Sequence, residues 1–99
     1  MAKQRYCALA PAQYELIKYC GLTSTAAKFI KMLIQSYRPT KIFDDMSFKS
    51  SKQKVIMFHL DKEQEETLQG LMKMYNKTSA ATLCRSLAYT YFLEQQSKN

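Results

Sequence analysis

The residue types best suited to bond-making chemistry are scarce in this chain: a single histidine, His59, and three cysteines, Cys7, Cys20 and Cys84. A Cys3His zinc site would need all four. No Cys-x-x-Cys pair anchors one, and each cysteine falls at an apolar position of a periodic segment, where cysteine behaves as a small hydrophobe. An odd number of widely spaced cysteines also argues against a disulfide framework and for a reducing compartment. With two glycines, no Gly-rich phosphate loop and no grouping of nucleophile, base and orienting residue, nothing can be assigned a catalytic role. The expectation is no enzyme, no metal, no cofactor and no small-molecule substrate.

What the chain does have is positive charge: 15 Lys and Arg against eight Asp and Glu, a formal +7. Residues 1–54 hold ten of the bases and three of the acids, whereas residues 55–99 hold five of each. The excess therefore sits in the first part, where it would attract phosphates, anionic lipid or acidic proteins, with nucleic acid foremost. Ninety-nine residues make one ordinary domain. At 46% hydrophobic, with seven Tyr and five Phe, the chain can build a core that a disordered basic tail could not. The longest mainly apolar stretch, Phe29 to Ile34, is interrupted by Lys31 and falls far short of the roughly 18 residues that span a bilayer. Ala8-Leu9-Ala10 mimics a signal-peptidase site, but the apolar run before it is too short and lies next to Arg5. A soluble, cytoplasmic single domain over 1–99, without membrane association, is expected.

The elements that would position these residues occur twice. Thr25 to Tyr37 aligns without gaps on Ser79 to Tyr91, and Leu9 to Gln13 aligns on Leu60 to Gln64. In the second copy Val55 to Leu60 is β-branched and apolar enough for a short strand. Asp61 is a good N-cap with Gln64 at the capping-box position, and Glu63, Glu65 and Glu66 suit the first helical turn. Leu68, Leu71, Met72 and Tyr75 form one apolar stripe; Asn76 to Ser79 breaks the helix and caps the next, whose stripe is Leu83, Cys84, Leu87 and Tyr91. The first copy runs from a strand at Gln4 to Leu9 through a helix opened by Pro11 and ended by Gly21. A second helix follows, with Ala26, Phe29, Ile30, Leu33 and Tyr37 buried. The repeats thus span 3–37 and 54–96, joined by a basic linker over 38–53 in which Ile42, Phe43, Met46 and Phe48 would pack in part.

A strand and two helices cannot hide their own apolar faces, and a lone strand leaves two open edges. Antiparallel pairing of the two strands would give an α+β, mostly α domain: a two-stranded ribbon backed by four helices about a pseudo-twofold axis. Alternation puts Ile56, Phe58, Leu60, Arg5, Cys7 and Leu9 inward, and Gln4, Tyr6, Ala8, Val55, Met57 and His59 outward. A one-residue slip would exchange the two faces, leaving Val55 and Met57 buried.

This order of strand ending in Leu60, helix capped by Asp61, Thr78-Ser79 turn and Leu83-Cys84-Arg85 helix resembles the ribbon-helix-helix DNA-binding family. The tandem arrangement is similar to conjugation accessory proteins of the TraY type and to virus- or plasmid-encoded regulators. The resemblance spans both repeats and excludes the linker; the first repeat, three residues shorter, departs from the pattern. It implies a duplex-DNA-binding transcriptional regulator, a repressor, whose ribbon enters the major groove. Gln4, Tyr6, Ala8, Val55, Met57 and His59 would then meet base edges, Val55 and Met57 through thymine methyls and Gln4 and His59 through hydrogen bonds. Ser24, Thr25 and Ala26, with Thr78, Ser79 and Ala80, would clamp phosphates at two helix N-termini, where backbone amides and the helix dipole favour anions. Ordinary capping explains the same residues.

Lys28, Lys31, Arg85, Lys41, Lys49, Lys52 and Lys54 would add non-specific attraction, each being also an ordinary solvated charge. The first half would supply most of the salt-dependent affinity. The aromatic end of the last helix, Tyr89, Tyr91 and Phe92, would allow self-association of neighbouring molecules on DNA, or would simply pack. Two rival roles stay open: a conjugation (relaxosome) accessory or antitoxin-like protein-interaction module, and a non-specific RNA or membrane-surface binder.

Overall fold

Residues of alternating polarity over 3–9 and 54–60 form the two strands of the fold, and the helices that follow them close over one face. The computed structural model describes residues 3–9, 11–20, 26–44 and 54–97. In chain order these form β1 (Lys3–Leu9), α1 (Pro11–Cys20), α2 (Ala26–Ser36), β2 (Lys54–Leu60), α3 (Lys62–Met74) and α4 (Ala80–Ser97). The result is a small, mostly helical α+β fold with a radius of gyration of 12.7 Å, near the roughly 13 Å of a compact chain this long. Among the described residues no helix is long and apolar enough to cross a membrane.

β1 and β2 pair antiparallel, with Tyr6 opposite Met57 at the centre and Lys3 and Leu9 opposite Leu60 and Lys54 at the ends. Each strand is one residue longer at its start than expected. On the inner face Cys7, Leu9, Ile56, Phe58 and Leu60 are buried and join Ile17, Phe29, Ile30, Leu33, Ile34, Leu68, Leu71, Leu83 and Leu87 in one core. This alternation fixes the register, because a slip by one would turn those residues into water.

Local chemistry sets the helix ends. Gln64 N donates to Asp61 Oδ1 at 2.8 Å and Asp61 N donates to Gln64 Oε1 at 3.0 Å, the reciprocal capping box anticipated for α3. At its other end Asn76 takes a left-handed φ of 57°, and Lys77 N donates to Met72 O at 2.8 Å. The next helix follows five residues after the end of α3, with Thr82 N donating to Ser79 Oγ at 3.3 Å.

α4 departs from the simple stripe. Besides Leu83, Cys84 and Leu87, it buries Ser86, Ala88, Thr90 and Phe92, so it is covered on more than one side. The segment after α2 explains the polar members. Phe43 N donates to Thr90 Oγ1 at 2.8 Å, Ser86 Oγ donates to Asp44 Oδ1 at 2.9 Å, and Tyr75 OH donates to Pro39 O at 2.6 Å. Ile42 packs against the core while Phe43 is exposed. Met46 and Phe48 lie outside the described residues. Phe29, Tyr37, Tyr91 and Phe92 form an aromatic cluster between α2 and α4, with ring centroids 5.4 to 5.6 Å apart. On the last helix Phe92 is buried, and Tyr89 and Tyr91 are half-buried.

Candidate nucleic-acid interface

The outer face of the ribbon carries Gln4, Tyr6 and Ala8 from β1 and Val55, Met57 and His59 from β2, because strand side chains alternate and the other face is committed to the core. All but the half-buried Ala8 are exposed, with Val55 60%, Tyr6 55% and Met57 50% accessible. A surface with three large apolar groups this open costs free energy in water of about 25 cal/mol per Å2 of apolar area. It gains that back against a partner. Gln4 Nε2 donates to Tyr6 Oη at 2.6 Å and also to the Met57 thioether, tying both strands together across the exposed surface.

Beneath that face the ribbon is anchored by an ion pair. Arg5 donates two hydrogen bonds to Glu65 on α3, one through Nε to Oε2 at 3.2 Å and one through Nη2 to Oε1. Glu65 holds the guanidinium pKa above its ordinary value, so Arg5 is charged at any accessible pH. On the α4 side Arg85 Nη1 donates to Ala8 O at 3.5 Å and Cys7 Sγ to Ala81 O at 3.8 Å. Cys7 and Cys84 are buried free thiols, and the hydrogen bond that the Cys84 thiol donates to Cys7, together with burial, pushes the Cys84 pKa well up, which keeps it protonated and unreactive.

The remaining expected contacts are dispersed. Ser79 and Ala80 are half-buried at the start of α4, Thr78 is exposed just before it, and Ala26 is half-buried at the start of α2. Ser79 Oγ is already used as the cap of its own helix. Lys28 is exposed on α2, Lys31 is half-buried, and Lys54 is exposed as the first residue of β2. Lys41 sits 5.4 Å over the Phe43 ring. The segment that carries it is bonded to α4 at Ser86, through Asp44, and at Thr90, through Phe43 N. Ser24, Thr25, Lys49 and Lys52 lie outside the described residues.

Arg85 is the site residue that sequence reasoning undervalued, since a lone basic residue on a helix carries no sign that it will reach a strand carbonyl. Among the described residues no three His, Cys, Asp or Glu side chains gather to hold a metal ion. A cleft between the end of α2 and the start of α3 is lined by Gln35, Arg38, Asp61, Glu63, Gln64 and Thr67, all polar, and Asp61 and Gln64 there are committed to each other. No family model, curated protein or solved structure matches the chain.

Proposed function

We propose that this chain is a tandem ribbon-helix-helix protein that binds double-stranded DNA through the outer face of its β1–β2 ribbon, in the role of a transcriptional repressor. The observation that carries the reading is the ribbon itself: its inner face is locked into the core, while its outer face presents Gln4, Tyr6, Val55, Met57 and His59 to solvent in a chain of net charge +7. Two strands about 4.8 Å apart, with their side chains, match a major groove about 12 Å wide.

The repeat plan has support in the element boundaries. The strands begin at Lys3 and Lys54 and the first helices at Pro11 and Lys62, each 51 residues apart, and the second helices begin at Ala26 and Ala80, 54 apart. The strand register also suits a twofold axis: Tyr6 pairs with Met57, its own counterpart at that spacing, and the Arg5–Phe58 pair exchanges with Cys7–Ile56. On this reading the ribbon specifies sequence, while the starts of α2 and α4 and the basic residues of the first half position the phosphates.

Titrating labelled random duplex, single-stranded DNA, RNA and anionic vesicles with the intact protein tests it. Duplex should bind most tightly, with affinity falling steeply as salt rises. Tighter binding to RNA or to vesicles would replace this reading with the non-specific binder. No binding to any nucleic acid or lipid would favour a protein-interaction module.

A further inference from the structure

We infer that the ribbon reads a directional, non-palindromic DNA sequence, with a hydrogen-bonding end and a methyl-contacting end. The inference rests on the duplex-binding reading above and concerns which bases that site takes.

The register sets three outward pairs in order along the ribbon: Gln4 opposite His59, Tyr6 opposite Met57, and Ala8 opposite Val55. At the first end stand a carboxamide and an imidazole, with the Tyr6 hydroxyl next to them and hydrogen-bonded to Gln4 at 2.6 Å. At the other end stand only the methyl groups of Ala8 and Val55. Paired identical strands would carry the same groups at both ends, because a twofold axis through the Tyr6–Met57 pair exchanges them. Here Gln4 corresponds to Val55 and Ala8 to His59 at the 51-residue spacing of the strands. Both polar substitutions fall at one end and both apolar ones at the other. The polarity therefore runs along the ribbon and not from strand to strand.

The four steps from Gln4 to Ala8 extend about 13 Å at roughly 3.3 Å each, the length of about four base-pair steps. A carboxamide pairs with the N6 and N7 edge of adenine, and an imidazole donates to purine N7 or guanine O6. Alanine and valine methyls pack on the thymine C5 methyl and offer nothing to a guanine or cytosine edge. The cognate core thus has purine acceptors at one end and thymines at the other.

The test is selection of sites from a randomised duplex library with the intact protein, followed by anisotropy titration of the best site and of two symmetrised versions, each duplicating one half. The expected consensus is non-palindromic, with both symmetrised sites at least tenfold weaker. Gln4→Ala and His59→Ala should lose tenfold or more of the discrimination at the purine end alone, and Val55→Ala about fivefold at the thymine end alone. All three residues are exposed, so these variants keep the fold, which an unchanged melting temperature checks. A palindromic consensus, or a symmetrised site bound as well as the selected one, overturns the directional inference and leaves duplex binding standing. Failure to enrich any sequence overturns sequence-specific duplex binding and the inference with it.

Discussion

Arg5 shares the ribbon's inner face with hydrophobes, and at the spacing of the two strands its counterpart is Ile56. Its two hydrogen bonds to Glu65 make the difference tolerable: side chains 22% and 17% accessible leave little water to solvate either charge alone. Arg5→Ala should therefore lower stability by about 1–3 kcal/mol, since it strands a largely covered carboxylate. Arg5→Ile combined with Glu65→Leu should recover most of that loss, and denaturant midpoints of the three proteins check both. Asp44 offers a pH-dependent counterpart. Its carboxyl is held below the usual range by Lys77, 2.9 Å away, and then by the Ser86 hydroxyl. A depressed carboxylate pKa stabilises the fold above the unfolded value, about 3.9, and that contribution disappears as pH falls through the folded value. Asp44 is 62% accessible, so screening limits the effect to about 0.2–1 kcal/mol. Melting curves of Asp44→Asn and the parent protein should differ at pH 7 and converge as pH falls below the folded-state value of Asp44.

At the scale of elements, the capping box of Asp61 and Gln64 was legible as a spacing, whereas the strand faces were legible only up to a one-residue slip, because Val55 and Met57 are as apolar as Ile56 and Phe58 and it is the observed burial of Ile56, Phe58 and Leu60 that decides between the two faces. The burial of Ser86 and Thr90 was not legible. They lie off the apolar stripe of α4, and their partners Asp44 and Phe43 N come from a segment that reads as a linker, a long-range contact no helical period encodes. Ile34 was missed beside Ile30 and Leu33 for a similar reason, since a helix packed between several neighbours buries more than one stripe. The helices also carry a measurable defect. Gly70 lies inside α3 with nothing within 4 Å of where its Cβ would stand. Gly70→Ala should raise stability by about 0.5–1 kcal/mol through reduced chain entropy in the unfolded state, whereas Asp61→Ala should lower it by about 1 kcal/mol through loss of the cap. Chemical denaturation of both variants should place them on opposite sides of the parent.

For the whole molecule, one chain supplies both strands of one ribbon, and the helices commit the ribbon's inner face so completely that its outer face is left as a rigid, open platform. Alternation narrowed the platform to one of two sets of strand residues; which set, and the pairing of Gln4 with His59 and Ala8 with Val55, depends on strand register. Placing a charge at the centre of that platform is the most direct test of the account. Met57 is half exposed, so Met57→Glu should leave the melting temperature unchanged while setting a carboxylate against the phosphate-lined groove. Anisotropy titration of a labelled duplex at fixed salt should show the variant binding at least tenfold more weakly than the parent; equal affinity of the two would contradict the ribbon as the DNA-binding surface.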